Sequence, residues 1–387
     1  MAELIRTEVR TVHQLYDELC VAGDNLNGRL ECHIMNDLDF NEEGFWYHPE
    51  GNFFNVDMSR NYASDRVPDH DYYLLDGGRY QTDPVTNQQI LVGNNALTNI
   101  YTYPNCSVFS WSIRATNNYL TKVIIRNLDV EAVMNQSMLF SFPGAGVVQF
   151  ENCNFNIKIV GFPNQDIAGF SAGSCAMFAQ NTSTNSTPAY QNGLRFINCT
   201  FNVEIVTSPS NKIGYLMVSG GKAAYSGISC ALALDACEIR IKNMTSDCHY
   251  GIFGTGISFQ DSGGIGASVY YNNCAFFFNN YKEPGQSVDH LEYTLTNYNS
   301  NATANVFRLM NSFIAAFAET ADGTIEPSLK SNVVLKRPTI TTSFYDKNRI
   351  NAIAYGTVSG DLYDLTTAEC KSESKLREIG FLFATES

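Results

Sequence analysis

Apolar and polar residues alternate along this chain in short bursts whose phase slips at one recurring point. Six segments align without gaps: VIIRNLDVEA (123–132), VQFENCNFNI (148–157), LRFINCTFNV (194–203), LALDACEIRI (232–241), VYYNNCAFFF (269–278) and FRLMNSFIAA (307–316). A weaker seventh is VVLKRPTITT (333–342). Before the central position alternate residues are apolar, as in Val148 and Phe150 or Leu194 and Phe196. After it the alternation resumes one residue out of phase, as in Cys153, Phe155, Ile157 and Cys199, Phe201, Val203. A period of two on each side predicts two half-buried strands, and the slip between them predicts a corner. Asn127, Asn152, Asn198, Asn273 and Asn311 sit at that corner, with Ala236 the exception. Asparagine is the non-glycine residue that best tolerates the left-handed backbone of a tight bend. Stacked asparagines can also pair their amides from coil to coil.

A further strand precedes each unit: SMLFSF (137–142), SCAMFAQ (174–180), IGYLMVSG (213–220), YGIFGTG (250–256) and EYTLTNY (292–298). Loops rich in Gly, Ser, Asn and Thr separate it from the corner strands, and their variable length makes the repeat uneven, at roughly 25 to 46 residues. About three strands per coil, each stacking on its counterpart in the next, predict an all-β chain. The architecture is a right-handed parallel β-helix solenoid with an N-terminal helical cap and a short C-terminal helix and strand cap. A propeller blade would need four antiparallel strands and hairpin turns, and a sandwich would not repeat one corner.

The expected organisation is a cap helix and first strand over 1–43 and an aromatic-rich insertion with early coils over 44–118. The β-helix then runs over 119–345, and a C-terminal cap over 346–387. TVHQLYDELCVAG (11–23) puts Val12, Leu15, Tyr16, Leu19 and Cys20 on one helical face, suited to close the solenoid's mouth, with RLECHIMNDLDF (29–40) read as the first strand. LTTAECKSESKLREIGFLFATES (365–387) reads as the second cap. The insertion carries Trp46, Tyr47, Phe53, Phe54, Tyr62, Tyr72, Tyr73, Tyr80, Tyr101 and Tyr103. These form either a local aromatic core or a contact surface for a subunit or a sugar, with Trp46, Tyr47, Tyr72, Tyr73, Tyr101 and Tyr103 the candidate binding residues.

Composition narrows the function. Of 387 residues 44% are hydrophobic and only 17% charged, so the polar quota is largely uncharged, as stacked β structure favours. The net charge of −14 leaves no basic stripe for nucleic acid. No apolar run is long enough to span a bilayer, and MAELIRTEVRTVHQL lacks the pattern of a secretory signal, so assembly in a reducing cytoplasm is expected. The 11 cysteines are not clustered as in a zinc site or small disulfide scaffold. Cys153, Cys199, Cys237 and Cys274 fall in one inward column with Leu128, Ser312 and Pro338, and read as buried thiols with no metal or other cofactor.

Outward on the same face, Lys158, Glu204, Lys242 and Asn279 line up beside Asn156, Asn202 and Arg240. This is a cross-strand charge ladder, with Glu204 its one acid. A polysaccharide hydrolase would need two or three carboxylates close together there. The other candidates for acid–base chemistry are Asp247, His249 and Asp261 with Asp289, His290 and Glu292, read as lying in loops of successive coils. The runs SGG (219–221) and DSGGIG (261–266) lack the context of a phosphate loop.

The repeated F-x-N-C-x-F corner resembles the parallel β-helix superfamily that includes pectate lyases, polygalacturonases and bacteriophage tailspikes, over roughly residues 120–345. The Asn-Thr-Asp, Gly-Asp-Asp and Gly-His-Gly signatures of polygalacturonases and the arginine motif of pectate lyases are missing from this sequence. The resemblance therefore implies fold rather than activity. It suggests a non-enzymatic virion protein of a bacteriophage (tailspike, fibre or capsid decoration), assembled in the host cytoplasm. Its partners would be other virion proteins, copies of itself (possibly as a trimer) or a host-surface polysaccharide. A polysaccharide depolymerase and a cell-surface adhesin or carbohydrate-binding module are the alternatives.

Overall fold

The structure, a computed structural model, describes residues 3–22, 28–42, 54–57, 72–102, 104, 107–112, 122–143, 147–162, 174–181, 193–207, 214–219, 232–245, 247–255, 268–282, 290–297, 306–320, 331–336, 338–347, 350–355, 359–370 and 372–379. These residues form a parallel β-helix. Strands before the corner build a first ladder: Glu3–Val9, Gly28–Ile34, Tyr72–Asp76, Lys122–Arg126, Val147–Glu151, Gly193–Ile197, Leu232–Asp235, Ser268–Asn272 and Val306–Met310, each parallel to the next. Strands after the corner build a second: Leu128–Asn135, Asn154–Gly161, Thr200–Ile205, Glu238–Asn243, Ala275–Lys282 and Phe313–Thr320. A separate nine-stranded back sheet runs from Phe54–Asp57 to Ile350–Tyr355 and contains all five of the preceding strands found in the sequence.

The corner is built as its residues require. Asn127, Asn152, Asn198, Ala236, Asn273 and Asn311 all have φ between 45° and 55°, the left-handed region. Each of the first five donates its backbone N–H to the carbonyl just before the corner in the next coil, for instance Asn152 to Ile197 at 3.0 Å. Side-chain amides pair from Asn198 to Asn152 at 2.8 Å and from Asn152 to Asn127 at 3.2 Å. Ala236 interrupts this ladder. Beyond it the amide of Asn311 reaches Asn272 at 3.5 Å, and Asn272 reaches Asp235 at 2.9 Å, so neighbouring positions replace Asn273 as the partner.

Because in-register strands lie one hydrogen-bond spacing apart, identical inward residues stack directly. On the back sheet Phe54, Phe109, Phe140 and Phe178 form a continuous pile with centroids 4.8, 4.9 and 5.4 Å apart. Opposite it, Phe150 stacks on Phe196 and Phe155 on Phe201, with edges turned to Phe178. Cys153, Cys199, Cys237 and Cys274 are buried in one column, each thiol donating to a backbone carbonyl. Burial raises the thiols of Cys199, Cys237 and Cys274 well above their ordinary value.

Three expectations change. The column continues through Ser312 to Ser343, not to Pro338, because Pro338 pairs with Phe307 at the start of the next first-ladder strand. The segment VVLK belongs instead to Ser331–Lys336 of the back sheet. The first strand is Glu3–Val9, ahead of the helix, and Gly28–Ile34 is the second. The helix Val12–Tyr16, capped by Thr11 and continued by a π-helical turn Asp17–Ala22, does bury Val12, Leu15 and Leu19 in the core, with Tyr16 against Phe54.

The third change concerns the aromatic region, which besides its early coils carries an antiparallel hairpin, Gly78–Thr82 with Gln89–Tyr101, rising from the corner after Asp76. Gly77 opens it where a Cβ would lie 2.6 Å from the carbonyl oxygen of Asn127 and collide with Leu128. Asp76, fully buried, ties the hairpin down. It accepts from Arg126 Nε and Nη2 (2.9 and 2.8 Å), Tyr80 Oη (2.8 Å), Asn127 Nδ2 (2.9 Å) and Gly78 N (2.9 Å). Burial alone would raise this carboxyl, but the donors from Asn127, Arg126, Gly78 and Tyr80 outweigh it and hold it below the usual carboxylate range.

Candidate functional site

The outward positions of the second ladder form three rows in register. One reads Asp129, Asn154, Thr200, Glu238, Ala275, Phe313; the next Glu131, Asn156, Asn202, Arg240, Phe277, Ala315; the third Val133, Lys158, Glu204, Lys242, Asn279. Apart from Val133 and Asn279, the rows are polar over the first four coils and apolar over the last two. The change has a structural cause. Where Ala275, Phe277, Phe313 and Ala315 face outward, the C-terminal helices Thr367–Cys370 and Glu373–Glu378 bring Leu365, Cys370, Leu376 and Ile379 onto them, a second small core. Reciprocal hydrogen bonds between Thr366 and Glu369 and an N-cap at Ser372 hold these short helices.

The uncovered part is a groove of about 730 Å³, floored by Glu131, Asn156, Lys158, Asn202, Glu204, Arg240 and Lys242 and closed at one end by Phe277 and Cys370. It crosses five strands, which at the usual spacing is roughly 19 Å. Its polar groups answer one another. Lys158 Nζ meets Glu204 at 3.2 Å, Asn202 donates to Asn156 at 2.9 Å, and Asn154 donates to Asp129 at 2.7 Å. Arg240 bonds Glu238 and lies over the Phe277 ring, 4.3 Å from its centroid. Glu131 and Glu204 sit two coils and two residues apart, roughly 10 Å along the axis and 7 Å along the strand.

The outward ladder read from the sequence, Lys158, Glu204, Lys242 and Asn279 with Asn156, Asn202 and Arg240, lines this groove, and of the candidate acid–base and binding residues only Glu204 is in it, as an ion-paired rung. Asp247 and His249, and His290 and Glu292, are not in loops: they begin the adjacent back-sheet strands Asp247–Thr255 and His290–Asn297. Asp261, Asp289, Trp46, Tyr47 and Tyr103 lie outside the described residues. Tyr72 pairs with Lys122 in the first ladder, and its side chain is outside the described set. Tyr73 is a core residue, 8% exposed, because the strand turns it inward above Val123, and it cannot serve as a binding platform. Tyr101 stays exposed, its hydroxyl accepting from Asn135 at 3.2 Å. Glu131 and the capping of the groove escaped the sequence reading. The switch from polar to aromatic at Phe277 and Phe313 was the available signal.

The fold thus defines a parallel β-helix protein with a polar groove on one strand face. No protein-family model and no curated protein matches the sequence. Among solved structures, a glycoside hydrolase is similar at 8% identity with a TM-score of 0.28, over 91% of this chain and 52% of that one. The chain spans about half the length of that structure. Among the described residues no helix is long and apolar enough to cross a membrane.

Proposed function

We propose that this protein is a non-enzymatic β-helical scaffold whose second-ladder groove holds an extended glycan, in the setting of a bacteriophage virion surface. The observation that carries the glycan reading is the groove itself, which crosses five strands and presents stacked amides and ion-paired side chains between apolar walls. Amides at Asn156 and Asn202 offer paired donors and acceptors at one strand spacing, a pattern suited to the hydroxyls of a linear polysaccharide. The carboxylates are spread over different coils and rows, which supports holding a chain over cleaving it. The virion setting, with neighbouring virion proteins or further copies as partners, rests on the resemblance of the repeated corner to tailspike-type β-helices. Co-sedimentation of the protein with purified particles tests that setting.

Glycan retention is tested by titrating host-surface polysaccharides into the full chain while assaying the same mixtures for new reducing ends or unsaturated products. We expect saturable binding without chain shortening, and about tenfold weaker binding when Asn156→Ala and Asn202→Ala are combined, the loss of about 1.4 kcal/mol of hydrogen bonding. Product formation that disappears in a Glu204→Gln variant would replace the scaffold reading with a depolymerase.

A further inference from the structure

The antiparallel hairpin carries apolar surface that the solenoid does not use. Five of the ten large apolar side chains exposed among the described residues sit on it: Tyr80, Val85, Ile90, Leu91 and Val92. Apart from Asp83, every residue from Arg79 to Val92 is exposed, so neither face of the ribbon is buried on the coils below. Ile90 pairs with Gln81 and Leu91 with Tyr80, which puts Ile90 on one face and Leu91 on the other, while Val92 falls in a bulge. A surface that meets one face cannot gather an apolar run spread over both. Contact along the strand's edge can. That edge is open: among the described residues the partners of this strand other than Gly78–Thr82 begin at Asn95 and Leu97, leaving 89–93 paired on one side only.

Charge narrows what fits the edge. Between Gly78 and Asn94 the charged residues are Arg79 and Asp83, and both are engaged. Arg79 bonds Asp37 and Asn95, and Asp83 accepts from the amides of Val85 and Thr86. From Pro84 to Asn94 the sequence is uncharged, in a chain of net charge −14. Edges that must stay unpaired are guarded by lysine, inward charge, proline or a bulge, and of these the stretch 89–93 has only the bulge. Two copies of so acidic a chain repel one another in most orientations, and this neutral ribbon lets them meet without like-charge contact. A partner recruited by charge would find none here to pair with.

We propose that residues 89–93 form a self-association edge, pairing antiparallel with the same strand of a second copy of this chain about a two-fold axis near Leu91. Such pairing is isologous, so it closes at two chains. It joins two ribbons into one four-stranded sheet and brings the two Leu91 side chains together, where an isolated two-stranded ribbon is marginal in water. The hairpin supplies about half of the 20–30 residues a side usual in a stable interface. The dimer is therefore reversible, with Kd in the micromolar range. This interface is independent of the glycan reading.

The test is the mass of the full chain in solution, by sedimentation equilibrium between about 1 and 300 μM, with circular dichroism confirming that each variant keeps its fold. We expect a reversible rise from one chain to two, and a dimer at least about tenfold weaker in Leu91→Lys, whose charge falls at the shared axis. A second arm works by gain of a link. Leu91→Cys oxidised with diamide should give a disulfide-bonded dimer, because directly opposed strand residues have Cα atoms about 4.5–5.5 Å apart. Val85, 89% exposed in the turn, would lie at opposite ends of the shared sheet, so Val85→Cys should link far less and the unsubstituted chain not at all. A chain that stays monomeric throughout, growth past two chains, an undiminished dimer in folded Leu91→Lys, or equal linking at positions 85 and 91 each overturns the proposal.

Discussion

Among the six aligned corner residues Ala236 alone is not asparagine, and replacing it tests the corner directly. Its φ of 52° is left-handed, which costs an L-residue with a Cβ roughly 1–2 kcal/mol. The side chain is exposed, so no packing is disturbed by a change there. Ala236→Gly removes the strain but frees the unfolded chain by about 0.4–1 kcal/mol, leaving a net gain of roughly 0.5–1 kcal/mol. Ala236→Asn recovers part of the strain and adds the missing rung, donating to Asn198 as Asn198 donates to Asn152. It also offers an acceptor to Asn273 on the next coil. Two solvent-exposed amide hydrogen bonds at about 0.5 kcal/mol each bring the total to roughly 1–2 kcal/mol. The expected stability order is therefore Asn above Gly above Ala. Denaturant midpoints of the three full chains measure it, with hydrogen exchange at the backbone amides of residues 198, 236 and 273 localising the gain. If Gly matches or exceeds Asn, the amide ladder contributes nothing. If both fall below Ala, the left-handed corner is not the strained point argued for here.

Three other outcomes follow from the core and the hairpin. Asp76→Ala should cost about 3–5 kcal/mol, since it strands Arg126 and three further donor groups, and should expose the hairpin 78–94 to limited proteolysis; a hairpin that stays resistant would show that Asp76 does not hold it. The same carboxyl is held below its unfolded value of about 3.9, so its contribution is full above that pH and is lost as the pH falls through the lower folded value. Hydrogen-exchange protection at Gly78 and Tyr80, relative to the intrinsic rate at each pH, should fall on acidification below about pH 4 and stay constant from about pH 5 to 8. Phe140→Ala, which opens the middle of the Phe54–Phe178 pile, should cost about 3–5 kcal/mol in denaturant unfolding, and a loss under 1 kcal/mol would contradict the close stacking. Cys199, Cys237 and Cys274 should resist iodoacetamide at neutral pH in the folded chain and label fully in denaturant by mass spectrometry. Cys199→Ser should be mild, about 1–2 kcal/mol, because Ser312 and Ser343 already place hydroxyls in that column.

The parts of the fold that could be read in the sequence are those where one physical demand recurs at every coil. Inward positions must be apolar, and a left-handed corner selects Asn, so six units and five back-sheet strands stood out. Where the demand was met by an atypical residue, the register was lost. The strand Pro338–Asp346 carries Ser343 in the column with Thr342 before it in place of asparagine, so the Asn-Cys signature vanished and the alignment slipped by five residues onto a back-sheet strand. The hairpin 78–94 escaped for a different reason. Its strand residues Ile90, Leu91 and Val92 are apolar in succession and all exposed, so no period of two marks them. Its turn is a longer loop in which Asp83 caps Val85 and Thr86, instead of a two-residue Asn-Gly turn.

The outward positions obey no such repeated demand, and this is why the groove was only half visible. Lys158, Glu204 and Lys242 could be placed in one row from the corner alignment alone, because register carries over to every residue of a coil once the corner is fixed. What lies above a row cannot be obtained that way. Phe277 and Phe313 occupy outward sites that in an open β-helix would expose two aromatic rings, so their presence requires a cover. The cover comes from residues 365–379, some fifty to a hundred positions later in the chain, through Leu365, Cys370, Leu376 and Ile379. The groove's extent is thus set by two local sequence facts read together: where the outward rows turn from Arg240 and Lys242 to Phe277, and where an amphipathic C-terminal segment supplies four apolar residues with no coil of their own to fill. Either fact alone is ordinary. Together they fix one end of the channel at Phe277, and they place the polar stretch from Glu131 to Lys242 as the part of this ladder left open to a ligand.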